Sequence, residues 1–232
     1  MTFVERELQF EASTLNGLDN REDASMLNVV IDLSHHNGVS SFKKIRDSGI
    51  LGVIHKATEG RTVVDAKYRP RRGRALANGL LWGAYHFGTK GNVVEQVDNF
   101  LDTVRPEKED LLVLDFEPNG TNTMSFSQAE DFVTRVRQKT GRYPGLYSGQ
   151  SFLREKAGNN TATVLKECFL WIARYSDQLP VVPPAWKTFT FWQYTDGSKG
   201  PEPHSVPGVV GPCDRDQFNG KLAGLKRLWG VK

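Results

Sequence analysis

Apolar positions along this chain follow two alternating rhythms. Short, nearly unbroken apolar runs occupy residues 28–33 (NVVIDL), 50–55 (ILGVIH), 80–87 (LLWGAYHF), 111–114 (LLVL), 145–148 (GLYS), 169–173 (FLWIA) and 189–194 (FTFWQY). Runs of this length, bounded by turn residues, read as strands buried on both faces. Between them the spacing lengthens to that of helices. Residues 39–48 place Phe42 and Ile45 inward and close at Gly49, residues 66–78 end at Gly79, and residues 93–104 carry Val94, Val97 and Leu101 at helical spacing. Ser127 and Glu130 suggest a capping box for a helix with Ala129, Phe132, Val133 and Val136 on one face, stopping at Gly141. A short helix is expected from Phe152, and a last one over residues 217–228.

Strands alternating with helices imply parallel βαβ units, and the number of strands suggests a single α/β barrel rather than two domains. There is no internal repeat, linker or second module. In such barrels chemistry sits at the C-terminal ends of the strands. Asp32, Asp115, Glu117 and Asp196 all fall there. The stretch at 111–120, LLVLDFEPNG, is the most informative. Side chains alternate along a strand, so Asp115 and Glu117 point the same way, and Pro118 and Gly120 end the strand beyond them. Two adjoining carboxylates at the end of an oily strand push each other's pKa values apart, so that one can hold a proton near neutral pH. That is the requirement for a glycosidase general acid. The same stretch also reads as a solvated acidic strand end that caps the next helix.

Composition narrows the class. Of 232 residues, 38% are hydrophobic and 25% charged, as in an ordinary soluble protein, and no run reaches membrane-spanning length. A net charge of +3 is too weak to argue for nucleic acid but suits an acidic surface such as a bacterial wall. Cys168 and Cys213 form neither a disulfide framework nor a zinc pattern; two separate buried thiols or one bridge remain open. The first 27 residues are acidic and lack the apolar core of a signal peptide, so residues 1–27 are expected to be a polar extension and residues 28–232 the barrel. A cytoplasmically made chain would then need a separate route to an extracytoplasmic substrate. No phosphate loop or metal-ligand spacing is present in the sequence, and no metal or cofactor is expected.

Eight pieces in order make a more specific signal: VIDLSHHNG (30–38), VIHKATEG (53–60), GAYHF (83–87), LVLDFE (112–117), GLYSG (145–149), LWIARY (170–175), WQYTDG (192–197) and CDRDQF (213–218). Together they resemble the glycoside hydrolase family 25 muramidases, the Chalaropsis-type lysozymes. The resemblance implies an irregular, flattened β/α barrel. It implies hydrolysis of the β-1,4 bond between N-acetylmuramic acid and N-acetylglucosamine in peptidoglycan. It carries the family's acidic positions onto Asp32, Asp115, Glu117 and Asp214, the last in a Cys-Asp-Arg-Asp context where the family has a V-D-x-N type motif. His36-Asn37 likewise stands where the family often has a glutamine before the glycine. Under this reading Glu117 is the general acid, Asp115 either orients the substrate acetamide or is a nucleophile, and Asp32 and Asp214 support the pair.

Sugars stack on aromatic faces, which makes Tyr85, Tyr147, Trp171 and Trp192 substrate-binding candidates beside Asp196; Tyr175 and Tyr194 share the pattern, and at least half of these rings can equally be core. His86 reads as a structural histidine, Lys56 and Glu59 as a structural ion pair near the cleft, and Arg69, Arg71, Arg72 and Arg74 as a solvated basic face or an anion patch. The expected partner is the peptidoglycan glycan strand, met by a monomer without membrane insertion, as in a phage or prophage lytic enzyme. A non-catalytic wall-binding barrel and a hydrolase of another N-acetyl-sugar polymer are the alternatives.

Overall fold

The computed structural model describes residues 26–231. The polar extension lies outside the described residues up to position 25; Met26 and Leu27 already belong to the first strand. The strands are β1 (Met26–Leu33), β2 (Gly38–Val39), β3 (Gly52–Glu59), β4 (Val63–Val64), β5 (Leu81–Phe87), β6 (Leu111–Asp115), β7 (Gly145–Gly149), β8 (Leu170–Ala173), β9 (Phe191–Thr195), β10 (Val209–Val210) and β11 (Asp214–Asn219). The α-helices are α1 (Phe42–Asp47), α2 (Tyr68–Leu76), α3 (Val93–Val104), α4 (Phe126–Thr140), α5 (Gln150–Ala157) and α6 (Leu222–Leu228).

The main sheet runs β1-β11-β9-β8-β7-β6-β5-β3, and a β1–β3 pairing closes it into a barrel of eight strands. Seven strands are parallel; β11 runs antiparallel to both β1 and β9. The barrel is irregular because helices α1 to α5 follow the first strands, whereas no α-helix lies between β8 and β9 or between β9 and β11. Two apolar layers result. Ile31, Val53, Trp82, Leu112, Leu146, Ile172 and Trp192 pack outward against the helices, while Val30, Ile54, Val113, Phe191, Phe218 and Trp229 fill the barrel.

Several expectations are corrected at the ends of elements. Residues 217–219 belong to β11, not to the last helix. The inward residues of β11 are Asp214, Asp216 and Phe218, so its period of two is polar and gives no hydrophobic strand signal. The capping box at the head of α4 is Ser125 with Gln128, two residues before the expected pair: Ser125 Oγ accepts from the Gln128 N–H, and Gln128 Oε1 accepts from the Ser125 N–H at 2.9 Å. The helix does stop at Gly141, whose φ of 82° is the left-handed cap expected of glycine. β3 runs on to Glu59, beyond the expected end at His55. α1 starts late because Gly38 and Val39 pair with β10 and Ser41 caps the helix. In α3 the inward face is Val93, Val97, Phe100 and Val104, and Val94 is exposed.

The arginines of α2 do not form one uniform face: Arg69 and Arg74 are exposed, whereas Arg72 is half-buried and Arg71 buried. Arg71 is buried and donates to the carbonyls of Ser34 and Asn37 and to His55 Nε2. Arg72 forks onto Asp110, Arg69 donates to the carbonyls of Asp102 and Thr103, and Arg74 lies over the Phe42 ring. They fasten the helix layer to the loop after β1 and to the chain before β6. His86 is a fully buried structural residue between Thr58 and Gln96, stacked on Phe132. Both cysteines are free and buried.

Candidate active site

The site is built on β6. Leu111 to Asp115 are all buried, and the extended pairing continues past the strand because the Phe116 N–H donates to the Tyr147 carbonyl at 2.9 Å. Phe116 turns outward against Phe126 and Phe152. Asp115 and Glu117, on either side of it, therefore turn inward. They line a cleft together with Asp32, Tyr85, Tyr147, Trp171, Tyr175, Gln193 and Asp214. The cavity is small, about 170 Å³, and opens to solvent.

Asp32 ends on β1 directly opposite Asp214 on β11. Because β11 is antiparallel, its first residue reaches the same end of the barrel as the last residues of the parallel strands. The two carboxyls thus face each other across the β1–β11 pairing, and each shifts the ionisation of the other. Asp32 Oδ2 also accepts from Gln193 Nε2 at 2.7 Å, while Gln193 Oε1 accepts from the hydroxyls of Tyr147 and Tyr175. A continuous network thus runs from two cleft tyrosines through one amide to the acidic pair.

Burial sets the charge state. It holds Asp115 well above the usual carboxylate range, with the Glu117 charge adding to it and Lys56 opposing it. Burial and then the Asp214 charge push Glu117 up. Asp32 is raised by burial and by Asp214 and Asp216, and Asp214 is raised by burial to about 6. A set of carboxyls raised together in one cleft can hold and pass protons near neutral pH. Asp115 Oδ1 is buried with no hydrogen-bond partner among the described residues. Beneath it lies the Lys56–Glu59 ion pair at 2.6 Å, as the sequence suggested.

Two sequence candidates are placed elsewhere. Trp192 belongs to the outer layer, its indole donating to the Arg174 carbonyl, because on β9 it is Phe191 and Gln193 that face inward. Asp196 lies past β9 and spends its carboxylate on its own loop, accepting from the N–H groups of Ser198 and Lys199; it reaches the site only through its charge on Asp214. Asn37 likewise serves the turn after β1, accepting from the Ser34 N–H. Conversely, Gln193 and Asp216 were missed as site residues. An amide between Trp192 and Tyr194 in an apolar strand, and the Asp-x-Asp spacing on β11, were the available signals.

A closed β/α barrel with four carboxyls at one mouth defines the class as a glycoside hydrolase, and comparison with known proteins gives the family. The sequence model of Glycosyl hydrolases family 25 matches residues 31–202, most of the chain, and the chain belongs to that family. Lysozyme M1 of Streptomyces globisporus is 29% identical over 212 residues, covering 85% of this chain and 70% of its own. The N,O-diacetylmuramidase of Chalaropsis sp is 28% identical over 214 residues, covering 85% of this chain and 96% of its own. The bacterial lysozyme from Streptomyces coelicolor superposes with a TM-score of 0.77 at 28% identity, covering 90% of this chain and 98% of that one. The chain spans 55–65% of the length of four other curated relatives that it matches.

Proposed function

We infer that the protein is an N-acetylmuramidase, a lysozyme that cleaves the β-1,4 bond between N-acetylmuramic acid and N-acetylglucosamine in peptidoglycan with retention of configuration. Family membership and the similar lysozymes and muramidase support the substrate class. The observation that carries the chemistry is the inward pair Asp115 and Glu117, facing Asp32 and Asp214 across a ring-lined cleft. Glu117 is the more exposed of the pair and is raised toward neutrality, which suits delivery of a proton to the leaving oxygen. Lys56 opposes the effect of burial on Asp115, and the unpartnered Oδ1 of Asp115 is placed to accept the N–H of the substrate acetamide.

The sequence of bonds is then as follows. The Glu117 proton goes to the glycosidic oxygen as the bond from that oxygen to the anomeric carbon breaks, its electron pair leaving with the departing sugar. The acetamide carbonyl oxygen attacks the anomeric carbon and forms a cyclic cation that Asp115 stabilises. Water, giving its proton to Glu117, opens that ring, and two inversions leave the configuration retained. Tyr85, Tyr147 and Trp171 offer faces and edges to the sugars. One chain supplies every group, so it acts as a monomer on glycan strands of the bacterial wall, in the manner of a released lytic enzyme.

A turbidity assay on purified peptidoglycan, with mass analysis of the new reducing ends, tests this. Clearing with N-acetylmuramic acid at the reducing end is expected. N-acetylglucosamine ends, or wall binding without cleavage, would contradict it.

A further inference from the structure

Gln193 stands on the inward face of β9 and is buried in the cleft wall. Its Nε2 donates to Asp32 Oδ2 at 2.7 Å, so the donor end of the amide faces the acid and the acceptor end faces the rings. Its Oε1 accepts from the Tyr147 hydroxyl at 2.8 Å and from the Tyr175 hydroxyl at 3.0 Å. An amide oxygen has two lone pairs and a phenol one proton, so the three groups are fully committed to one another. The backbone fastens the same corner. The Arg174 N–H donates to the Gln193 carbonyl at 3.1 Å, and the Trp192 indole, on the outer face of β9, donates to the Arg174 carbonyl at 2.8 Å. Tyr175 follows β8 into irregular chain and is 38% exposed, so its ring stands at the rim of the cleft while its hydroxyl reaches in. Trp171 likewise spends its N–H outside the cleft lining, on Asp216 Oδ1 at 2.7 Å.

We propose that Gln193 is a positioning residue that turns Tyr147 and Tyr175 into hydrogen-bond acceptors toward the sugar and holds Tyr175 at the rim of the cleft. With their protons on Gln193 Oε1, both phenols present only lone pairs to a ligand. The wall they form with Trp171 therefore recognises the O–H and N–H groups of a saccharide and offers no donor to its ether and carbonyl oxygens. Without the amide oxygen both phenols are free to rotate and donate, and Tyr175 loses its tether. The orientation of the phenols stands on this geometry; its use for glycan strands rests on the muramidase reading.

Proton NMR of protein isotope-labelled at the tyrosine ζ-carbons tests the orientation without any substrate. In the wild-type protein the Tyr147 hydroxyl proton is expected to be protected from exchange. In Gln193→Met, which keeps the length of the side chain and removes both ends of the amide, that proton should be lost to exchange. Tyr175→Phe removes one acceptor and should raise KM on wall oligosaccharides by about threefold to tenfold, with kcat little changed. In the Gln193→Met background the same substitution should raise KM no further, because the Tyr175 oxygen is already misdirected. A Tyr147 hydroxyl proton unprotected in the wild-type protein would overturn the proposal, and that measurement does not depend on a variant folding. So would fully additive effects of the two substitutions on KM, which would leave Gln193 a packing residue. No cleavage by the wild-type protein, with the hydroxyl proton present there and lost in Gln193→Met, would uphold the orientation and contradict the muramidase reading instead.

Discussion

The two ends of the barrel interior are lined by the same strands and do opposite things. On β1, Val30 lies in the lower end and Asp32 in the upper; on β6 the step is Val113 to Asp115, on β9 Phe191 to Gln193, and on β11 Phe218 to Asp216 and Asp214. Each step is two residues, hence the same face of the strand. The lower end is closed by Trp229, whose indole packs on Phe191 and donates to the Trp82 carbonyl at 2.9 Å. Among the described residues no such plug covers the upper end, which gathers carboxyls held away from their preferred ionisation. Depth along the strand thus decides whether an inward residue stabilises the fold or is held at a cost for chemistry.

The largest effect expected is at the upper end. Glu117→Gln keeps the shape but cannot deliver a proton, and lysis should drop by about 10²–10⁴-fold with no loss of melting temperature; wild-type-like lysis by a folded variant would remove Glu117 from that role. At the lower end, Trp229→Ala should cost about 3–5 kcal/mol, seen as a fall in denaturant midpoint. Its activity per folded molecule should be unchanged, and a specific loss of activity instead would erase the distinction between the ends.

The smallest effect sharpens the comparison through pH. Asp214 is raised from 3.8 to about 6, so its unfolded form ionises while the folded form still holds the proton. Its contribution is therefore most favourable below 3.8 and is lost as pH rises through about 6. Asp214→Asn should be more stable than wild type at pH near 8, and no more stable near pH 3.5. Calorimetry at both pH values checks this, and equal stability of the two proteins at the higher pH would show that the carboxyl is not held at a cost.

The parallel part of the fold was legible because its strands are apolar on both faces and its helices carry caps. The family motifs carried the acidic positions Asp32, Asp115, Glu117 and Asp214, all of which line the cleft. β11 was not legible, since its inward residues are the acids themselves. Trp192 was taken as a cleft residue and Gln193 passed over because an aromatic ring looks like a sugar platform and an amide does not. One register position separates the two, and hydropathy alone does not set it. Of the arginines of α2, Arg71 and Arg72 are not solvated as expected, because backbone carbonyls and the distant Asp110 are partners that no side-chain pattern announces.

In the proposed mechanism Asp115 works through the substrate's own acetamide. This role is tested most directly by kcat on matched wall fragments with N-acetylated and N-deacetylated muramic acid. A free amine has no carbonyl oxygen to attack the anomeric carbon, so kcat should collapse while KM changes little. Equal kcat on the two substrates would contradict the account and leave Asp115 as a nucleophile or as electrostatic support.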